Sequence, residues 1–378
     1  MGALSQTYVD PSIAGNSGAG TVGDPYGDIQ YALDTITRDG TNGDQINVKA
    51  GTDEILAAAL TTATYGTPSW QAPLLLRGYT SAADDGGIGG IDGNATYTIM
   101  AATPTAIMFK DLHLHNSGSA TILTVNDWGI IDNVEFDNTS GIGLQCDVSW
   151  QVTNCHFHDI GSQGLLIRGA SLARGNYFKN GTKTFTSAID LAISSRGTVV
   201  DRNIISIDGA SNGIRLFNYF TTAINNSVLS SSGTGKGIFR GNNDGYRTWN
   251  NLVEGFSGAG GVGIEDSSDH QMTGHNGAFN NATNYSFGSK TVDLGDNEAL
   301  GATPFDKSGS DTFANRFIYF APVDTGNVQG GAHPNGDNLD KGAVQHADPA
   351  GGGGSQGRRI IRIGGYRGTS NKKGIRRF

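Results

Sequence analysis

Apolar and polar positions repeat along this chain as short strands separated by turns of small and polar residues. From about Ile107 to Phe279, an Asn or Asp precedes a short apolar strand, a Gly/Ser/Asn turn follows, and a small residue then precedes an aliphatic pair. The clearest copies start at intervals of 23, 24, 25, 24 and 26 positions, at Gly141, Gly164, Ala188, Gly213, Gly237 and Gly263. A period in the twenties, built of short strands without a helical segment, predicts a β-solenoid.

An asparagine recurs at the turn-to-strand corner of these repeats. The corner positions are Asn133, Asn154, Asn176, Asn203, Asn226 and Asn251. The amides could bind sugars, or they could stack inside the solenoid and hydrogen-bond from coil to coil. Because their spacing follows the coil, we favour the internal ladder.

The N-terminal segment is predicted to form a cap. Apolar residues between Ile29 and Ile36 fall at helical spacing, so a short amphipathic helix should begin near Asp28. Residues 45–48 then alternate like a first strand, and the helix would cover the open end of the solenoid. We therefore expect four parts: cap and first strand (1–50), β-helix coils (51–296), closing segment (297–350), and Gly-rich hinge with basic arm (351–378).

Two segments resemble the ends of a known fold. GDPYGDIQYALDTI followed by GDQINVKAGT is similar to the start of right-handed parallel β-helix proteins of the pectate-lyase-like group, and residues 297–346 resemble their closing segment. The resemblance implies an all-β fold, a right-handed single-stranded parallel β-helix with an N-terminal capping helix and an extended C-terminal arm. It implies a fold rather than a reaction.

Charge is divided unevenly along the chain. The last 23 residues hold eight of the 26 Lys and Arg and no acid, so the preceding chain has 18 bases against 35 acids. An acidic body and a basic tail are expected to meet different partners. The tail residues that we expect to contact a partner are Arg358, Arg359, Arg362, Tyr366, Arg367, Lys372, Lys373, Arg376, Arg377 and Phe378.

Three interpretations of this basic arm stay open. It could bind nucleic acid through phosphates, remain a free solubilising tail, or dock on an acidic protein surface. Its segment GRRIIRIGGYR alternates bases with aliphatic residues, as a strand added to another chain's sheet edge would. It lacks the aromatic series that stacks on bases, so we favour an anchoring arm and expect no nucleic-acid partner.

Outward side chains at one position of successive coils form ladders with about 4.8 Å between neighbours. The repeat places two such ladders side by side: His113, Glu135, His156 and Tyr177 in one, and His115, Asp137, His158 and Lys179 in the other. The His and carboxylate side chains among them could hold a divalent transition metal, or they could form a solvated face of alternating charge. We favour the second interpretation and expect no metal and no cofactor.

The repeat predicts a further outward ladder, which contains Gly143, Leu166, Asp190, Arg215, Phe239 and Glu265. The resemblance implies that catalysis in this group lies on such a face: an Arg or Lys removes a proton beside a uronate carboxylate while acids hold calcium, or clustered Asp residues hydrolyse the glycosidic bond. Asp190 next to Arg215 fits the first arrangement in residue type, and it equally fits a cross-coil ion pair. We expect no catalytic site, with these two residues as the candidates if the chain is an enzyme.

Several remaining features limit the possible functions. Cys146 and Cys155 are expected to be buried thiols rather than a disulfide. The N-terminus shows no basic segment before an apolar run, and no stretch reaches the length of a membrane span, so we expect assembly in a cytoplasm without a membrane partner. Aromatic residues that could stack on sugars or on a neighbouring subunit are Trp128, Trp150, Tyr219, Tyr246 and Trp249.

The acidic β-helix body, the lack of a visible signal peptide and the basic arm together resemble the capsid decoration (cement) proteins of tailed bacteriophages. That resemblance implies a non-enzymatic homotrimer on the capsid surface of the virion, bound to the major capsid protein or another virion protein. One alternative is a phage tailspike or a polysaccharide lyase or depolymerase acting on acidic polysaccharide. The other is a non-enzymatic receptor-binding β-helix module.

Overall fold

The chain folds as a parallel β-solenoid in a computed structural model that describes residues 3–320, apart from 101–105, 193–194, 218–219, 241–244, 267–271, 290 and 296. The described strands form one 21-stranded sheet and one eight-stranded sheet, and their pairings from coil to coil are parallel. The predicted all-β parallel β-helix is confirmed. The basic arm lies outside the described residues, so its boundary at 351 and its contacts stay predictions.

The N-terminal part contains an additional strand before the predicted one. Ser5–Val9 pairs in parallel with Asp44–Lys49, so residues 45–48 belong to the second strand rather than the first. Helix α1 (Ile29–Thr35) begins after Asp28 as predicted, because the Asp28 carboxylate accepts a hydrogen bond from the Tyr31 N–H at 2.6 Å. Three strands complete this part: Glu54–Ile55, Leu74–Tyr79 and Gly89–Asp92.

Each regular coil contributes one short strand to each of three stacks. The first stack contains Trp150–Thr153, Leu172–Arg174, Val199–Asp201, Thr222–Ile224, Arg247–Trp249, Met272–Gly274 and Val292–Asp293. The second stack contains His156–His158, Tyr177–Lys179, Ile204–Ile207, Ser227–Ser230, Leu252–Glu254, Gly277–Phe279 and Glu298–Ala299. The long strands Ile107–Gly118 and Gly129–Thr139 turn the corner between these two stacks and belong to both.

The third stack forms the separate eight-stranded sheet. Its strands are Leu123–Val125, Leu144–Cys146, Gln163–Ile167, Ser187–Leu191, Asn212–Leu216, Lys236–Arg240, Val262–Asp266 and Thr283–Phe287. Leu165 pairs with Leu144, so Leu166 lies opposite Gln145 and not opposite Gly143. The predicted ladder was wrong at its first position because the repeat there is 21 residues long, two fewer than the glycine spacing indicates.

Aliphatic and aromatic side chains fill the space between the three stacks. Phe136, Phe157 and Phe178 lie on one another, with ring centroids 4.8 and 4.6 Å apart. Cys146 and Cys155 are buried free thiols, as predicted. A second helix, α2 (Arg316–Tyr319), is a single turn, and no helix among the described residues could cross a bilayer.

The asparagine ladder is internal, but it begins later than predicted. Asn176, Asn203, Asn226, Asn251 and Asn276 are buried, and each side-chain amide donates to the next asparagine of the ladder. Asn133 and Asn154 lie one position earlier in their coils, with φ of 55°, at the solvent-facing corner. Asparagine tolerates this left-handed conformation, so the sequence contains two asparagine patterns, and only the second forms the internal ladder.

Candidate functional site

The outward side chains of the second stack form two adjacent ladders along the solenoid. His113 pairs with Glu135, Glu135 with His156, and His156 with Tyr177. The neighbouring ladder runs through His115, Asp137, His158 and Lys179 in the same register. The structure therefore confirms the placement that the repeat predicted for both ladders.

One group of side chains on this face, which we call the histidine cluster, comprises Glu135, Asp137, His156, His158 and Asp159. The Oε1 atom of Glu135 lies 3.0 Å from Nδ1 of His156 and 2.9 Å from Nε2 of His158. Nδ1 of His158 lies 2.8 Å from Oδ2 of Asp159, and its Nε2 lies 3.9 Å from Oδ2 of Asp137. The cluster thus gathers two imidazoles and three carboxylates on two coils.

Hydrogen bonds between these groups set their protonation. Hydrogen bonds from His156 and His158 hold the pKa of Glu135 well below its usual range. Burial opposes charge on His158, but its hydrogen bonds to Glu135 and Asp159 outweigh burial and raise its pKa to about 9. Burial dominates at His156 and lowers its pKa. The two imidazoles therefore have opposite charge preferences at neutral pH.

A second His–carboxylate group lies next to the histidine cluster. Nε2 of His115 is 3.1 Å from Oδ2 of Asp53, and Nε2 of His113 is 3.0 Å from Oδ1 of Asp137. Burial opposes protonation of His113, but Asp137 outweighs it and raises the pKa of His113. The Asp53 side chain is 46% exposed, so this group is more open to solvent than the histidine cluster.

Residues 303–320, which we call the strap, lie across the same face from the coil of His156 to the coil of Phe279. Phe305 and Phe320 are fully buried in a hydrophobic cluster with outward aliphatic side chains of the second stack. The strap residue Phe313 stacks on the His156 ring with centroids 4.8 Å apart. Sequence reasoning recognised a closing segment here but could not place it, because contacts between a strap and a sheet face have no period.

A cleft of about 340 Å³, which we call the strap cleft, lies between the strap and the second stack. Lys307 of the strap donates to Oε1 of Glu254 at 2.6 Å, and Thr303 donates to Oε2 of the same carboxylate at 2.7 Å. Asp311 accepts hydrogen bonds from Tyr177 and Ser206. The cleft walls are mostly polar and comprise Lys179, Asn180, Ser206, Asp208, Leu229, Ser230, Ser231, Glu254, Asn280, Lys307, Asp311 and Tyr319.

The catalytic candidates of the third stack are in contact with each other. Nε of Arg215 lies 2.7 Å from Oδ1 of Asp190, whose side chain is almost fully buried. Burial raises the pKa of Asp190, and Arg215 only partly opposes this rise. The buried carboxylate has little access to a large substrate, so the geometry fits a cross-coil ion pair. A catalytic role for the two residues stays a prediction.

The aromatic candidates occupy different environments. Trp150 and Tyr246 are buried, so neither offers a ring to a sugar in this structure. Trp128 stacks on Trp70, whose side chain is 59% exposed and which sequence reasoning had missed. Trp249 lines a separate apolar groove, and Tyr219 lies outside the described residues.

Comparison with known proteins supports the fold and its handedness. Residues 97–253 match the family described as "Right handed beta helix region". No curated protein matches the sequence significantly. The chain is thus a right-handed parallel β-helix with the pectate-lyase-like fold.

Three solved structures are similar to this chain to different degrees. Pectate lyase Pel9A is similar with a TM-score of 0.56 and 13% identity, over 91% of this chain and 98% of that one. The catalytic unit of a thermostable GH87 α-1,3-glucanase from Streptomyces thermodiastaticus strain HF3-3 has a TM-score of 0.42 and 11% identity, over 80% of this chain and 71% of that one. XylC in complex with xylose has a TM-score of 0.41 and 12% identity, over 71% of this chain and 55% of that one.

The prediction that the chain is not an enzyme is wrong in the light of these findings. It rested on scattered outward carboxylates, whereas the fold is shared with pectate lyase Pel9A. None of these proteins is a capsid decoration protein, so the comparisons give the virion prediction no support.

Proposed function

We propose that the chain is a polysaccharide lyase or depolymerase that acts on acidic polysaccharide bound in the strap cleft. The observation that supports this proposal is the pair of lysines, Lys179 and Lys307, in the wall of one long cleft, where they lie among the carboxylates of Asp208, Glu254 and Asp311. An acidic sugar polymer carries a carboxylate at intervals, and ammonium groups are suitable partners for it.

The cleft has the length that a polymer requires. Its lining residues Lys179, Ser206, Leu229 and Glu254 belong to successive coils, and Asn280 follows the strand of the next coil. The four intervals of about 4.8 Å between these five coils give a cleft of about 19 Å from the first coil to the last. Several sugar residues fit along that distance, parallel to the solenoid axis.

The lining groups can exchange their present partners for a substrate. Lys307 contacts Glu254, and Lys179 lies 3.5 Å from Oδ2 of Asp311. The two lysine side chains are 33% and 36% exposed, so their ammonium groups can turn toward a uronate. Ser, Asn and Tyr groups on the same walls supply hydrogen bonds for sugar hydroxyls.

The reaction that we propose is a β-elimination. One lysine gives up its ammonium proton to solvent and, as the neutral amine, removes the proton beside the uronate carboxylate. The C4–O4 bond breaks, a C4–C5 double bond forms, and O4 of the leaving sugar takes up a proton. The other lysine balances the carboxylate charge during this step. We assign the proton removal to Lys307 and the charge balance to Lys179, and neither assignment requires an oxidant or a second substrate.

The test compares Lys307→Met and Lys179→Met with Lys236→Met. Lys236 is a matched control, because its Nζ also lies 2.6 Å from a glutamate, Glu265, and its side chain is also 33% exposed, but it belongs to the third stack. Polygalacturonate and alginate are incubated with each protein, and the ultraviolet absorbance of the unsaturated product is followed. Calorimetry measures binding of the same polymers, with dextran as the neutral control.

We expect the absorbance to rise at similar rates with the wild type and with Lys236→Met. With Lys307→Met the rate should be at least about 100-fold lower, a typical loss for a proton-transfer group. New reducing ends without absorbance would mean hydrolysis and overturn the elimination. Equal losses with Lys236→Met and Lys307→Met, or no binding of any acidic polymer by the wild type, would overturn the cleft assignment.

The capsid decoration prediction has no comparable observation behind it. The anchoring arm lies wholly outside the described residues, and no contact of the described chain favours a lattice partner over a polysaccharide.

A further inference from the structure

We propose that Glu135, His156 and His158 form a binding site for a divalent transition-metal ion of the zinc type. The proposal uses other residues than the polysaccharide activity, which we assign to Lys179 and Lys307, although Lys179 is the neighbour of His158 in the ladder. It rests on the positions of the donor atoms, on the support behind one imidazole, and on the covering of the other.

The three donor atoms have the spacing of ligands around one ion. Nδ1 of His156 and Nε2 of His158 lie 3.0 and 2.9 Å from Oε1 of Glu135, and all three atoms lie within 4.8 Å of one another. Adjacent ligands at about 2.1 Å from the ion are about 3.0 Å apart around an octahedral ion and about 3.4 Å apart around a tetrahedral zinc ion. An ion can therefore take a position among these atoms with small side-chain movements.

A carboxylate behind His158 orients this ring. Nδ1 of His158 hydrogen-bonds to Oδ2 of Asp159 at 2.8 Å, so its Nε2 is directed at Glu135. Asp159 is itself held through its other oxygen, Oδ1, which accepts hydrogen bonds from the Thr182 N–H and, at 2.8 Å, from the Thr182 hydroxyl. Metal-binding histidines usually have such a carboxylate at the second nitrogen, which fixes the tautomer and the ring.

His156 is held by stacking instead of a second carboxylate. Its ring lies 4.8 Å from the Phe313 ring and 5.3 Å from the Tyr177 ring, with interplanar angles of 14° and 28°. A cleft of about 450 Å³, lined by Glu135, His156 and Phe313 among others, gives access to the cluster from solvent. The imidazole is thus pre-positioned next to a route through which an ion can enter.

The donor types select the metal. Two imidazole nitrogens with a carboxylate oxygen favour Zn²⁺, Ni²⁺, Co²⁺ or Cu²⁺, whereas Ca²⁺ and Mg²⁺ prefer all-oxygen sites. Asp137 can supply a fourth ligand, since its Oδ2 lies 3.9 Å from Nε2 of His158. Remaining positions stay open to water or to a small anionic ligand.

The neighbouring group of Asp53, His113 and His115 serves as an internal control. Its donor atoms also lie within 4.8 Å of one another, but Asp53 is exposed, and Nε2 of His113 contacts Asp137 rather than Asp53. The proposal therefore assigns the ion to Glu135, His156 and His158, with His115 outside the coordination.

The first measurement uses the full chain without a polyhistidine tag. The protein is treated with chelator, dialysed, and titrated with Zn²⁺ in a calorimeter, and bound metal is counted by elemental analysis. Co²⁺ then replaces Zn²⁺, and its visible absorption reports nitrogen ligation. We expect one ion in this site, with no displacement by excess Ca²⁺. Absence of stoichiometric Zn²⁺ binding by the wild type would overturn the proposal without any variant.

The second measurement compares variants by the same titration. We expect His158→Ala to lose the site and to weaken the cobalt absorption. Asp159→Asn should weaken binding about 10- to 100-fold while every ligand stays in place. His115→Ala should bind as the wild type does. Wild-type affinity in His158→Ala, or loss of binding only in His115→Ala, would overturn the assignment. Circular dichroism checks folding, and Asp159→Asn covers the case in which His158→Ala does not fold.

Discussion

Asn226 lies at the centre of the internal asparagine ladder, and replacing it should destabilise the solenoid strongly. Its Nδ2 donates to the carbonyl of Val200 and to Oδ1 of Asn251, both at 3.0 Å. Its Oδ1 accepts from the N–H and from the Nδ2 of Asn203, both at 3.0 Å. The side chain has no exposed surface, so water cannot replace these partners unless the coil opens.

Asn226→Ala removes all four of these hydrogen bonds. Each contributes about 1 kcal/mol net, and the buried N–H of Asn203 loses its acceptor, which costs about 1–3 kcal/mol when no other partner is found. Asn203 Nδ2 keeps the carbonyl of Ala173, so only the N–H is fully orphaned. Because the two contributions overlap, we expect a loss of about 3–5 kcal/mol in the free energy of unfolding.

Urea unfolding followed by circular dichroism measures this loss, with Asn225→Gly as the matched control. Asn225 is the preceding residue, faces the solvent side of the corner, and has φ of 55°, which glycine adopts freely. Its amide donates to Asp201 and accepts from Asn250, both in partly buried positions, so we expect the control to lose about 1–2 kcal/mol. A loss below about 1 kcal/mol for Asn226→Ala, or equal losses for both variants, would refute the argument that the buried amides hold the coils together.

Three further changes test other parts of the structure. Burial and the nearby Asp28 carboxylate raise the pKa of Glu54 to about 7, so its ionisation destabilises the fold as pH rises from about 4.5 to 7. The free energy of unfolding of Glu54→Gln should therefore exceed that of the wild type by about 1–3 kcal/mol at pH 8 and should equal it at pH 4. A constant difference across this pH range would contradict the pKa argument. Phe305→Ala removes a fully buried ring and should weaken strap docking by about 3 kcal/mol, seen as faster hydrogen exchange of the Lys307 N–H that bonds to the Tyr319 carbonyl. Unchanged exchange would mean that the strap is held elsewhere. Arg215→Leu leaves Asp190 buried without its cation and should cost about 1–3 kcal/mol at neutral pH. The loss should shrink as Asp190 is protonated at lower pH, and Asp190→Asn in the same chain should restore most of it; a loss independent of pH would count against the ion pair.

The sequence predicted those parts of the molecule that follow the coil period. The ladders of His113, Glu135 and His156 came out in the correct register, because parallel pairing repeats one position in every coil. The capping helix was placed correctly from its apolar spacing and the Asp28 cap. The predicted register was wrong where the period changes. The coil that contains Gly143 is two residues shorter than the glycine spacing indicates, so Leu166 lies opposite Gln145 and not opposite Gly143.

The strap could not be predicted, because its contacts are neither local nor periodic. Asp311 lies 134 residues after Tyr177 in the sequence and yet accepts its hydroxyl hydrogen bond at 2.5 Å. Glu254 and Lys307 are likewise far apart in the sequence, by 53 residues, and yet form a hydrogen bond at 2.6 Å. Reading the coils alone therefore found the carboxylates on the face scattered, and the prediction of a protein without catalysis followed from that incomplete set.

Both proposals require a ligand to displace a partner that is already present. Lys307 contacts Glu254, so a uronate must displace the Glu254 carboxylate from this lysine. His158 contacts Glu135, so a metal ion must displace the proton that these two side chains share. Such exchange gains less free energy than filling an unpaired site, since the protein must give up one charge-assisted contact to make another. Polysaccharide affinity should accordingly fall with ionic strength, because the partly exposed lysines attract a uronate by a charge that salt screens over about 8 Å at 0.15 M. Zinc affinity should depend much less on salt, because the bonds to nitrogen are short and directional. Measuring both affinities across the same salt series tests the two proposed ligands separately, whatever the activity of the cleft.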